Sequence, residues 1–178
     1  MGGRLNEAFF PPPPPAPEPE EWPTPPAWWQ PPDEVGHCLP LRLLLGRSEQ
    51  AAVAVTSVVR HSTGFVFQSQ ILLRSPERLD ATRPRVSVEF PGSRPVWHTS
   101  EHLEELPDWE DGDPPEPVLA AVAAGPSIDP ARRQYRLTWV YPLPPEGTLT
   151  FTCEWPEEGI SGRGELDSAR ILELGGGR

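Results

Sequence analysis

From Gln134 to Pro156 the chain reads QYRLTWVYPLPPEGTLTFTCEWP, and its large apolar residues fall on every second position. Tyr135, Leu137, Trp139 and Tyr141 share one parity, while Gln134, Arg136 and Thr138 share the other. After the break Pro142 to Gly147, Leu149, Phe151, Cys153 and Trp155 alternate with Thr148, Thr150, Thr152 and Glu154. Successive side chains of a strand point to opposite faces, so this pattern is that of half-buried β-strands. Two such runs around a proline- and glycine-containing break predict a β-hairpin. Its apolar face is expected to be Leu137, Trp139, Phe151 and Trp155, and its threonine-rich face to be wet.

The same period recurs upstream. Leu39 to Leu45 is a short apolar run that predicts a first strand. Ala51 to Arg60 puts Val53, Val55 and Val59 on one parity. Its alanines would suit a helix, but its valine and threonine content favours a strand. Phe65 to Leu73 puts Phe65, Phe67, Ile71 and Leu73 on one face, and His61-Ser62-Thr63-Gly64 makes a tight turn between the two runs. Residues 51–74 therefore predict a second hairpin. Arg85 to Phe90 alternates through Val86, Val88 and Phe90, and Val96 to Thr99 is its expected partner across Pro91-Gly92-Ser93-Arg94-Pro95. Pro117 to Ala124 fits either a strand or a short helix. Asp167 is an expected N-cap for a short C-terminal helix ended by Gly175 to Gly177. Seven or eight short strands at this spacing predict an all-β, immunoglobulin-like antiparallel β-sandwich, with a barrel as the alternative. The antibody pattern of cysteines is absent, because no cysteine lies in the run 51–60.

Composition changes the picture at the N-terminus. Of 178 residues 27 are proline, about three times ordinary usage. They cluster in residues 11–32, PPPPPAPEPEEWPTPPAWWQPP. Proline fixes φ and lacks an N–H, so this segment cannot enter a helix interior or a central strand. Residues 1–34 are read as a disordered or extended Pro/Trp-rich arm, and 35–178 as the sandwich domain. Trp22, Trp28 and Trp29 interrupt the prolines, and a pure spacer has no use for indole rings. They are expected to dock, on this protein's own sandwich or on a partner.

Charge narrows the partners. The net charge is −11, which argues against nucleic acid and anionic membranes. Residues 101–117 carry eight acids and no base, whereas residues 37–100 carry eight arginines and four acids. The acidic stretch suits encounter with a basic protein partner. Within it, Glu104, Glu105, Asp108, Trp109, Asp111 and Asp113 join the three tryptophans as candidate binding residues. The N-terminus has no apolar run of signal-peptide length, and nothing approaches a membrane span, so a cytoplasmic protein is expected.

PPAWWQPPDEVG, VAVTSVVRHSTGFVFQSQILLR and YPLPPEGTLTFTCEWP together resemble a group of small proteins of high-GC bacteria, chiefly actinobacteria. The likeness spans most of the chain and is most specific at PLPPEGTLTFTCEWP. No activity is attached to that group, so the resemblance implies no site residue. It implies a bacterial cytoplasmic setting and a boundary near Val35.

Candidate chemistry is thin. His98 and His102, with a carboxylate nearby, are the one set with metal-ligand character, but a four-residue histidine spacing converges only on a helix. Nucleophilic catalysis needs a serine or cysteine beside a positioned base. Ser62 next to His61 is mere adjacency, and Cys153 falls on a core parity. Gly159, Gly162 and Gly164 lack the lysine of a phosphate-binding loop. Cys38 and Cys153 could pair, but two cysteines make no disulfide framework. The sequence is read as that of a non-enzymatic interaction or adaptor module without a cofactor. The alternative is a metal-dependent enzyme using His98, His102 and an acid.

Overall fold

The computed structural model describes residue 26 and residues 28–74, 84–97, 117–125 and 132–175. Nine strands and one short helix follow in order: β1 (His37–Arg47), β2 (Ala51–Arg60), β3 (Phe65–Leu73), β4 (Arg85–Glu89), β5 (Val96–Trp97), β6 (Val118–Gly125), β7 (Arg133–Tyr141), β8 (Thr148–Trp155), β9 (Ile160–Asp167) and α1 (Ala169–Leu172). Two antiparallel sheets pack face to face, a five-stranded one ordered β1-β2-β3-β7-β6 and a four-stranded one ordered β5-β4-β8-β9. The β3–β7–β6 and β5–β4–β8–β9 arrangement is the immunoglobulin-like Greek key, with β1 and β2 extending the first sheet. The expected sandwich is therefore present, and 51–74 is a hairpin of β2 on β3.

The core lies between the sheets. Val53, Val55, Val58, Phe65, Phe67 and Ile71 from one meet Val86, Val88, Leu149, Phe151, Cys153 and Trp155 from the other. Phe67 and Phe151 pack edge-on, with ring centroids 5.3 Å apart. They bridge β3 and β8, the strand pair that antibody domains join with a disulfide. Cys153 is a buried free thiol whose pKa is pushed up to about 11 by burial and by Glu154. Cys38 is free and exposed.

Four expectations are corrected, the last of them the N-cap of α1. The run Gln134 to Pro156 is not a hairpin: β7 pairs with β3 and β6, and β8 pairs with β4 and β9. The Pro142 to Gly147 segment carries the chain from one sheet to the other. Second, the core face of β7 is the even one. Thr138 and Val140 sit opposite Phe67 and Phe65 and are buried with them, so Trp139 points to the outer face. Third, a bulge between Val55 and Ser57 flips the parity of β2, and Val58 replaces Val59 in the core. The ambiguous run before Gly125 is strand β6. At the C-terminus Ser168 is the N-cap of α1, while the Asp167 carboxylate accepts the Ala169 N–H at 3.0 Å.

β9 had no counterpart among the predicted strands. Its glycines are explained by β1, which lies across the seam between the sheets. A β-carbon on Gly162 would strike the Leu45 carbonyl, one on Gly164 would come within 2.6 Å of the Leu43 side chain, and one on Gly46 within 2.5 Å of Ile160. No ladder joins β1 to β9 among the described residues. The sandwich closes on this side by close approach of the glycine backbone to Leu45, Leu43 and Ile160 rather than by a ladder.

Candidate functional site

At one end of the five-stranded sheet, the face turned away from the core is also buried. Val66 and Trp139 are cross-strand partners on that outer face, at 8% and 0% exposure. A sheet face without a second sheet stays dry only when something covers it. The segment before β1 reaches the neighbouring β2–β3 turn, where Gly36 lies against Val59 and His61 and Glu34 meets Ser62. Trp28 is fully buried although it belongs to no part of the inter-sheet core. Trp29 packs edge-on against it at 5.8 Å and is left 40% exposed. Of the expected pair, Trp28 is buried and Trp29 remains exposed.

The segment is fixed at its far end by the β2–β3 turn. The Ser62 backbone N–H donates to the Glu34 carboxylate, and His61 Nδ1 lies 3.8 Å from the same oxygen. The hydrogen bond from Ser62 holds the Glu34 carboxyl below its ordinary range, helped by His61 and Arg60. Burial pushes His61 down, against the pull of Glu34. His61 in turn meets the Trp139 ring edge-on at 5.8 Å. Two glycines allow this packing. A β-carbon on Gly36 would strike the Val59 side chain, and one on Gly64 would meet the Trp139 ring at 2.6 Å.

Polar atoms at this end are buried without hydrogen-bond partners among the described residues: Trp28 Nε1, Trp139 Nε1, Arg60 Nε, His61 Nδ1 and Thr63 Oγ1. An unsatisfied buried donor costs about 1–3 kcal/mol, so apolar contact has to outweigh these groups. Arg60 spends one guanidinium N–H on the Leu174 carbonyl, which ties the chain after α1 to the same corner. The site joins a buried indole, a segment tied to the β2–β3 turn and an acid–imidazole contact.

Of the candidate residues read from the sequence, only Trp28 and Trp29 are described. Trp22, His98, His102, Glu104, Glu105, Asp108, Trp109, Asp111 and Asp113 lie outside the described residues. Among the described residues no three metal-ligating side chains cluster, and no helix is long and apolar enough to cross a membrane. Sequence reasoning missed Glu34, His61 and Trp139 as parts of one site. The signal was present in Gly36 and Gly64, which mark close approach, and in Trp139, whose even-numbered neighbour Val140 is equally apolar. Comparison with protein-family models, with curated proteins and with solved structures finds no match.

Proposed function

We propose that this protein is a non-enzymatic interaction or adaptor module of the cytoplasm, and that its Pro/Trp arm is the exchangeable element. The observation that carries this reading is Trp28, a fully buried indole outside the core of the fold that bears it. A proline-rich segment that buries a tryptophan outside the inter-sheet core has the chemistry of peptide recognition, in which a preformed extended chain docks an aromatic-lined surface at low entropic cost. A partner segment of similar chemistry competes for the seat, or the released arm goes to a partner. The acidic residues 101–117 serve encounter with a basic partner, whose association rate falls as salt rises.

The test uses the full chain with Trp28→Ala and a labelled peptide spanning residues 20–36. The variant is expected to bind the peptide saturably. The wild type is expected to bind it at least about tenfold more weakly, because its own arm competes at a high effective concentration. Equal or absent binding to both proteins overturns the reading.

A further inference from the structure

The outer face of the five-stranded sheet is dry at one end and wet at the other. Val66 and Trp139 are the dry end, beside the β2–β3 turn. At the far end Leu44 is 51% exposed and Leu72 37%. Two rows of cross-strand partners make up that end. One is Leu44 with Ala54, Gln70 and Tyr135, and the other is Arg47 with Ala52, Leu72 and Arg133. Val53, Val55, Ile71 and Leu73 alternate with these residues and enter the core, so both rows face outwards.

The rows form a trough. Leu44 on β1 and Leu72 on β3 stand on either side of β2, which sets only Ala52 and Ala54 between them. Two strand spacings, about 10 Å, leave room for one aromatic ring laid on the alanines. The Gln70 amide donates to the Tyr135 hydroxyl at 3.0 Å, so the polar groups beside the trough are turned to each other. The charges are of one sign. Arg47 and Arg133 end the second row and are exposed, and neither row holds an acid, in a chain of net charge −11. The complement of this surface is a large apolar side chain next to carboxylates.

We propose that the trough seats Trp22 of the chain's own arm, with Glu20 and Glu21 beside Arg47 and Arg133. The sequence Pro19-Glu20-Glu21-Trp22-Pro23 has the required chemistry, and its prolines lower the entropy lost on docking. The reach also fits. The arm is tied at Glu34 to Ser62, and Gly36 lies against Val59, whose neighbour Val58 is the core residue. It therefore enters on the outer side of the sheet. From Arg60 to Ala52 (60 less 52 is 8 positions) β2 covers about 26 Å. From Glu34 back to Trp22 (34 less 22 is 12 positions) the chain extends at most about 40 Å. The turns that close Pro26 on Trp29 and Pro32 on Glu34 take up a few Å each and leave the reach sufficient. This seat is separate from the corner that holds Glu34, and it stands whether or not Trp28 exchanges with a partner.

Acrylamide quenching of the full chain tests this, with Trp22 read as the difference between the wild type and Trp22→Phe. Its quenching constant is expected to be at least about threefold below that of a free peptide of residues 14–25, because a seated indole is shielded. Leu72→Glu, and Arg47→Glu with Arg133→Glu, should each raise it to the peptide value. These three residues are exposed, so the variants keep the wild-type circular dichroism. Adding Glu20→Arg and Glu21→Arg to the reversed arginines should restore the shielding, since the charges then match again. Shielding should also be independent of protein concentration, because trough and occupant belong to one chain. A Trp22 as accessible as in the peptide overturns the proposal. Shielding that every face variant leaves intact overturns it too, as does a charge reversal that restores nothing. Shielding lost on dilution makes the occupant the arm of a second copy, and likewise overturns it.

Discussion

β7 and β8 follow one another in the chain and alternate equally cleanly, but they use their two faces differently. β8 buries one face. Leu149, Phe151, Cys153 and Trp155 enter the core, while Thr150 and Thr152 stay half-buried outside. β7 buries both. Val140 and Thr138 face the core, and Trp139 lies buried on the outer face beside His61 of the β2–β3 turn. Alternation reports that a strand has two unlike faces. It does not report which face meets the other sheet, because a second cover on the outside makes the same demand for apolar side chains.

The contrast can be broken by mutation, and the largest effect belongs to β8. Phe151→Ala removes half of the Phe67–Phe151 pair from a site with no exposure and should destabilise the domain by about 3–5 kcal/mol in urea denaturation. A loss below about 1 kcal/mol would put that face of β8 in solvent. Gly162→Ala tests the seam. Overpacking against the rigid Leu45 backbone should cost about 1–3 kcal/mol, measured as a lowered midpoint at unchanged slope. Trp139→Ala tests the outer face of β7. If the arm is its cover, Trp139→Ala and Trp28→Ala should couple in a double-mutant cycle by about 0.5–3 kcal/mol, and additivity would separate the two indoles.

Acid should loosen the arm before it touches the core. The His61 pKa is lowered on folding, so its contribution is complete above the ordinary value of 6.5 and fades as pH falls through that value. The Glu34 pKa is also lowered, so its contribution persists above the ordinary 4.5 and is lost below it. Arg60 and the Trp139 ring also face these groups. Acrylamide quenching that differs between the wild type and Trp28→Phe should rise as pH falls below the ordinary Glu34 value, where the carboxylate that accepts the Ser62 N–H is lost, and Glu34→Gln should flatten that rise. The smallest effect is expected at Thr152→Ala on the outer face of β8, within about 0.5 kcal/mol of wild type.

Much of the sandwich was legible because most strands obey a period of two without interruption. β3, β4 and β8 have the predicted core faces, and the 51–74 hairpin closes at the predicted turn. Errors gathered where the period carried less than the fold required. The bulge in β2 inserts one residue and moves burial from Val59 to Val58, and nothing in AAVAVTSVVR marks the place. β9 was hidden because glycine weakens strand propensity, and its glycines answer to a neighbour 115 or more residues earlier in the chain, Leu45 and Leu43 (162 less 45 is 117, 164 less 43 is 121). The seat for Trp28 was half legible. The tryptophans announced docking, but Glu34 and His61 become a pair only when the turn folds against the arm.

The corner where Arg60 holds the Leu174 carbonyl also brings the two ends of the sandwich together. Gly175 lies so close to the His37 imidazole that a β-carbon would come within 2.8 Å of it. The order in which the strands are threaded is therefore separable from the order in which they are stacked. A short linker from Gly175 to His37, with the chain reopened at the Pro91-Gly92-Ser93 turn, where Gly92 is exposed, gives a circular permutant that retains every ladder and lacks the arm. A β-carbon on Gly92 would meet nothing within 4 Å, so that turn has room for new termini. Such a permutant presents the β2–β3 turn without the segment that Glu34 and Gly36 tie to it, as an empty receptor on an unaltered frame.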